Sequence, residues 1–217
     1  MKKIFITLIV ALTPMLVSAQ QVVRIGKAKV MANVSQKETD IYMKGAVPEV
    51  DGKVVFKETI TDIPANLSEN DILMKAKQWA AFRYEPNTEN GIWPSADYFK
   101  NRDYATTKSV EGNVITIQGD EEMVFKNVLL NKDSTRIFYT LVLTCSKTGI
   151  DVTMKNIYYV YEGNASDERL TAEVWITDNE AITKNGQGLN KISGKFRVRT
   201  IDLKNELVNE IRNTLNQ

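Results

Sequence analysis

Between Val54 and Tyr84 the spacing of apolar residues changes from a period of two to a period near 3.6. Val54, Phe56 and Ile60 share one phase of VVFKETI, which predicts a short strand with one buried face. The chain turns through Pro64. Ile72, Ala76, Trp79 and Ala80 then follow i, i+4, i+7 and i+8, which predicts an amphipathic helix over Ser68–Tyr84 with Trp79 in the core. Its ends agree with its periodicity. Ser68 stands at the N-cap with Asp71 three residues on, and Leu67 and Ile72 are placed to form a hydrophobic staple. Glu69 and Asp71 lie at the positive end of the helix dipole and Arg83 at the negative end. Pro86 forbids much further helix.

Downstream the period is two almost throughout. Strands are expected over Lys108–Gln118, Glu122–Leu130, Thr135–Cys145 and Asp151–Glu162, with a tight connection at Gly119-Asp120-Glu121 and polar turns near Asn131–Ser134 and Ser146–Gly149. Connections this short force neighbouring strands to run antiparallel. Leu170, Ala172, Val174 and Ile176 alternate and predict one more extended segment. Asn179–Thr183 reads as a helical turn and Asn185–Gly194 as a glycine-rich loop. Thr200–Asn216 reads as a closing helix with Lys204, Val208, Ile211 and Leu215 on one face. A long loop, Glu85–Asp103, carries Trp93, Tyr98 and Phe99, which are expected to cap the core. The class is therefore α+β: an antiparallel sheet of about five strands with two helices on one face, the other face at least partly free.

The first 44 residues stand apart. Met1-Lys2-Lys3, the apolar run Ile4–Val17 and the small residues Val17-Ser18-Ala19 have the layout of an export signal cut after Ala19. The run is short for a membrane span and contains Pro14. No cysteine follows the cut, so no lipid anchor is expected. The expectation is a signal peptide over 1–19, a leader over 20–44 with one or two short strands, and a single α+β domain over 45–217. The destination is the periplasm or the medium, without membrane anchorage.

Charge and composition remove whole classes of chemistry. The chain has 28 basic and 27 acidic residues. Without Lys2 and Lys3 this becomes 26 against 27, a net charge of −1, which is no footprint for nucleic acid or an anionic membrane. There is no histidine, which removes Ser-His-Asp and Cys-His nucleophilic systems and His-based zinc sites. Cys145 is the sole cysteine, so no internal disulfide and no cysteine-rich metal site can form. Gly186-Gln187-Gly188 lacks the third glycine of a dinucleotide loop, and Gly188–Lys195 misses the phosphate-loop spacing. No cofactor, metal or catalytic residue is assigned. Two carboxylate groups, Asp120-Glu121-Glu122 at the expected hairpin tip and Glu162 with Asp167 and Glu168, leave a carboxylate-based envelope hydrolase as the alternative.

The two central strands look apolar on both faces. Tyr139, Leu141, Tyr159 and Tyr161 form the more continuous row and are taken to face the helices. Phe138, Val142 and Tyr158 then lie on the opposite face and are the candidate binding residues, since tyrosine suits surfaces that are part apolar and part wet; coverage of that face by Gln20–Gly45 or by the Glu85–Asp103 loop is the alternative.

The segments GAVPEVDGKVVFKETI, KQWAAFRY, NIYYVYE, AEVWITDNEAITK and KFRVRTIDLKNEL, in this order, resemble the exported bacterial family called domain of unknown function 4468. The resemblance spans about Gly45–Leu215. It implies a fold like that of the TATA-binding protein, a β-α-β-β-β-β-α arrangement with a curved sheet. It implies no activity, and a fold of that name does not imply DNA binding. The functional expectation is a non-catalytic binding or scaffolding module of the cell envelope, whose partner is an unknown envelope protein or a glycan.

Overall fold

The computed structural model describes residues 40–84, 108–128, 131–160 and 169–217. The export signal, most of the leader, the Trp93 loop, Tyr161 and the Glu162–Glu168 carboxylates lie outside the described residues.

A small hairpin of β1 (Glu49–Val50) and β2 (Lys53–Val54) turns at Asp51-Gly52 and leads into β3 (Phe56–Ile60). Val54, Phe56 and Ile60 are all buried, as their shared phase predicts. Helix α1 (Glu69–Tyr84) follows, burying Ile72, Ala76, Trp79 and Ala80. Its start is the expected capping box. The Ser68 backbone N–H and hydroxyl both donate to the Asp71 carboxylate, and the Asp71 N–H donates back to Ser68 Oγ. Those bonds hold the Asp71 carboxyl below its usual range.

The sheet then unrolls as β4 (Lys108–Glu111), β5 (Val114–Val128), β6 (Asn131–Ser146), β7 (Gly149–Val160) and β8 (Arg169–Thr171). Six strands form one antiparallel sheet in the order β3-β7-β6-β5-β4, with β8 beside the far end of β7. This is one strand more than expected. The first hairpin also turns elsewhere, at Gly112-Asn113, with Gly112 at φ 59°. Gly119-Asp120-Glu121 is no connection; it runs in the middle of β5, paired to β6.

One register feature shapes the site. Pairing of β6 with β7 slips between Phe138 and Thr140, where Asn156 takes a left-handed conformation at φ 53°. The extra residue in β7 is a β-bulge. It moves the buried phase of β7 from Ile150, Val152 and Met154 to Ile157 and Tyr159.

After β8 the expected alternation fails. Ala172–Val174 form a 3-10 turn, and the Ile176 N–H donates to the Ala172 carbonyl, so Ala172 and Ile176 are buried as helical rather than strand neighbours. The helical turn α2 (Asp178–Ala181) follows, and then α3 (Ser193–Leu215). Helix α3 begins seven residues before the expected Thr200, because Phe196 and Arg197 are buried on its first turns. Val208, Ile211 and Leu215 share its buried face as expected.

Arg197 is fully buried, and all three of its nitrogens donate. Its Nε donates to the Tyr42 carbonyl, one terminal nitrogen to the Ile176 carbonyl, and the other to the Met43 carbonyl and the Asp178 carboxylate. The Tyr42 hydroxyl donates to Asp202, and the Gly45 N–H to Asp178. Residues 42–45 are thereby tied to α3, so the folded part reaches back into the segment assigned to the leader. Among the described residues no helix is long and apolar enough to cross a membrane.

Candidate functional site

Directly paired residues of an antiparallel sheet point to the same face. The registers therefore map both faces of this sheet row by row. On one face Ile115, Leu143 and Val152 form a row, Ile117, Leu141, Met154 and Phe56 the next, then Gly119 with Tyr139, then Glu121, Ile137, Tyr159 and Leu170. This face carries the helices. The Tyr159 hydroxyl hydrogen-bonds Thr200 of α3, and the Tyr139 hydroxyl lies 2.8 Å from that of Tyr84 at the end of α1. The assignment of Tyr139, Leu141 and Tyr159 to the helix side is correct.

The opposite face carries Phe138, Val142 and Tyr158 together, as expected, but it is not the apolar patch their alternation suggests. Val142 sits between Thr116 and Thr153, with Ser109 and Lys57 at the ends of the row. The neighbouring row holds Glu111, Val114, Thr144, Asp151 and Thr59, with the Thr59 hydroxyl donating to Asp151. Around Val142 the surface is thus mainly hydroxyl. Further along, Asp120, Phe138, Tyr158 and Thr171 form one row across four strands.

In that row the Phe138 and Tyr158 rings stack with centroids 4.7 Å apart and planes 10° apart, and the Arg169 guanidinium lies 5.0 Å from the Tyr158 ring centre. Arg136 donates to Asp120 from Nε at 2.8 Å and from a terminal nitrogen. The row is a ladder of ring on ring flanked by cations, which ties β5 to β8. Phe138 is only 5% exposed, which corrects the expectation of an open Phe138 anchor, while Tyr158 and Val142 are half-buried.

The carboxylates fall differently from the hairpin-tip expectation. Asp120 and Glu121 are adjacent in one strand and so face opposite sides of the sheet. They do not form a pair flanking one groove. Glu121 enters the helix side, where it accepts from Arg83 and from the Tyr139 hydroxyl. Arg83 also meets Glu210 at 3.2 Å and Glu206 at 3.9 Å, and Trp79 Nε1 donates to Glu210 at 3.1 Å. Burial opposes the charge on Arg83, but Glu121 and Glu210 outweigh it and hold the guanidinium firmly protonated. Burial and then Glu121 push the Tyr84 and Tyr139 hydroxyls well above the usual tyrosine range.

The turn-like composition of Gly119-Asp120-Glu121 conceals this joint, although the strand phase signals it. Ile115, Ile117, Gly119, Glu121, Met123 and Phe125 keep one phase, and an acid inside an apolar phase announces a buried partner. Among the described residues no cluster of acids and cysteine fit to hold a metal occurs.

Residues 56–160 match the family described as "Domain of unknown function (DUF4468) with TBP-like fold", the family that the sequence resembles. The chain is similar to the crystal structure of a DUF4468 family protein from Bacteroides ovatus ATCC 8483. The TM-score is 0.66 and the identity 29%, over 82% of this chain and 95% of that one. It is also similar in fold to a TBP-like protein from Parabacteroides distasonis ATCC 8503. There the TM-score is 0.53 and the identity 19%, over 78% of this chain and 96% of that one. No curated protein matches the chain. The α+β class and the TATA-binding-protein-like fold hold; neither relative's description names an activity.

Proposed function

We propose that the protein is a non-catalytic binding module of the bacterial cell envelope and that it meets its partner with the sheet face opposite α1 and α3. The observation that carries this reading is the composition of that face. It offers a broad surface of threonine hydroxyls around Val142, bounded by the Phe138–Tyr158 ladder and by charges of both signs. Such a surface suits an extended polar partner, an envelope protein or a glycan, better than a buried small substrate. Its mixed charge gives no reason to invoke nucleic acid, whatever the name of the fold. The leader reading supports export. The carboxylate-hydrolase alternative draws less support, because Glu121 faces away from Asp120 and Glu122, and Asp120 and Glu121 are each engaged by an arginine.

The test is binding to a glycan array, and cross-linking in envelope extract, by the full exported chain and two variants. Val142→Arg places a charge in the hydroxyl surface, and Met74→Ser alters the exposed side of α1, 47% exposed in the structure. The expected result is a loss of at least about tenfold in affinity for Val142→Arg, roughly 1.4 kcal/mol, with Met74→Ser unchanged. Equal binding by wild type and Val142→Arg would exclude this face.

A further inference from the structure

The bulge in β7 builds a polar cluster on the sheet face opposite α1 and α3. Gln118 of β5, Thr140 of β6 and Lys155 of β7 are register partners and form one row across three strands. Asn156, inside the bulge, turns its side chain onto the same row. Its Nδ2 donates to Thr140 Oγ1 at 3.2 Å, and the Thr140 hydroxyl donates to Gln118 Oε1 at 3.1 Å. Thr140 is buried, whereas Gln118 and Asn156 are exposed.

These two bonds decide what the amides present outward. Asn156 gives an N–H to Thr140 and keeps its carbonyl oxygen as an acceptor; Gln118 accepts at its oxygen and keeps its NH2 as a donor. One buried hydroxyl therefore orients an acceptor and a donor on neighbouring strands. Lys155 adds a cation to the row and has no ion-pair partner among the described residues. The adjoining row carries the half-buried Tyr158 ring.

The backbone of Asn156 stands at φ 53°. Glycine takes that conformation without strain, and asparagine takes it at a cost. Bulges re-aim side chains beside functional sites, and strain of this kind gathers there. Here the bulge aims an amide that glycine would lack.

We propose that this cluster binds an acidic glycan, a chain of sugars that carry carboxylates. The inference rests on the binding reading above and names the partner of that face. Vicinal sugar hydroxyls both donate and accept, so one pair satisfies Asn156 Oδ1 and Gln118 Nε2 together. The sugar carboxylate meets the compact charge of Lys155. The Tyr158 ring offers apolar surface to a sugar's C–H face and a hydroxyl at its rim. The contact groups are side chains standing on a sheet face, not the strand-edge backbone with which an added peptide strand pairs.

The experiment is calorimetric titration of the full exported chain with oligogalacturonate and oligomannuronate, each as the free acid and as its methyl ester. Wild type should bind a free acid about tenfold more tightly than its ester, and Lys155→Gln should bind both at the level of the ester. Asn156→Gly relieves the left-handed backbone, so its urea midpoint should equal or exceed that of wild type while its affinity for acid and ester falls about tenfold. Equal wild-type affinity for acid and ester, wild-type affinity in Asn156→Gly, or no binding of any of the four probes overturns the proposal. If it fails in one of these ways while Val142→Arg still loses a partner in envelope cross-linking, the binding face stands with a different partner. If Val142→Arg loses nothing, the binding reading fails as well.

Discussion

The Tyr139 ring lies across the backbone of Gly119, its register partner on the neighbouring strand, in the space a side chain there would fill. A Cβ built on Gly119 overlaps the ring. A glycine inside a strand is normally a weakness; here it lets the Tyr139 hydroxyl reach both Glu121 and Tyr84. Gly119→Ala should therefore destabilise the protein by about 1–3 kcal/mol, the range for overpacking, despite alanine's better backbone entropy. Urea denaturation measures it; an unchanged or raised midpoint would show that the ring can move aside at no cost.

Trp79 is 5% exposed and serves two purposes, filling the space under α1 and donating to Glu210. Trp79→Ala should cost about 3–5 kcal/mol. Trp79→Phe keeps most of the ring and loses the donor, so its cost should lie closer to that of one hydrogen bond to a charged group, about 1.5–3 kcal/mol. If the two substitutions proved equally costly in chemical denaturation, packing would not be the larger part.

Arg197 is the hub that holds residues 42–45 and the turn at Ile176–Asp178 on α3. Arg197→Met takes the donor from three carbonyls, that of Ile176 fully buried, and takes from the half-buried Asp178 carboxylate its arginine partner while leaving the Gly45 N–H. The expected cost is about 3–5 kcal/mol. Limited proteolysis offers a local readout: in the variant, cleavage within Asp40–Val47 should precede cleavage of the sheet. Simultaneous loss of both would mean that this segment is not a separately held strap.

Cys145 closes β6 and is buried, and burial raises its thiol to about 11. Reactivity requires the thiolate, whose share falls as this value rises. At pH 8 in native buffer a thiol reagent should label Cys145 no faster than the protein opens, and fully in denaturant. Rapid native labelling would contradict the burial of this strand end.

The legibility of the chain followed local physics. Helix α1 was readable because its cap, dipole charges and apolar stripe are all encoded within Leu67–Arg83. The turn before β5 was misplaced because Gly119-Asp120-Glu121 has the composition of a turn, whereas its glycine answers to Tyr139 twenty residues away. The bulge at Asn156 left the row of Phe138 and Tyr158 legible but hid the change of phase that begins at Met154. The early start of α3 was hidden by Gly194 and by the lack of a side-chain cap at Ile192; long-range contacts of Phe196 and Arg197 hold it instead. Phe138, Val142 and Tyr158 share one face as their alternation predicts, but Phe138 is buried there, and the hydroxyl character around Val142 emerged only from the pairing of three different strands.

The Phe138–Tyr158 ladder can be separated from any docking role by energetics. Stacked rings on adjacent strands are coupled to each other, whereas two residues that merely share a partner's surface are coupled only when that partner is present. In the free protein, a double-mutant cycle of Phe138→Ala and Tyr158→Ala should give a coupling of about 0.5–1.5 kcal/mol from chemical denaturation. Phe138→Ala should be the costlier single change, since Phe138 is the more buried ring. Arg169→Gln should weaken the fold by less, about 0.5–1 kcal/mol, by removing the cation from the Tyr158 face. A coupling near zero would mean that the 4.7 Å stack contributes nothing to the sheet, and that these rings are held for contact with something else.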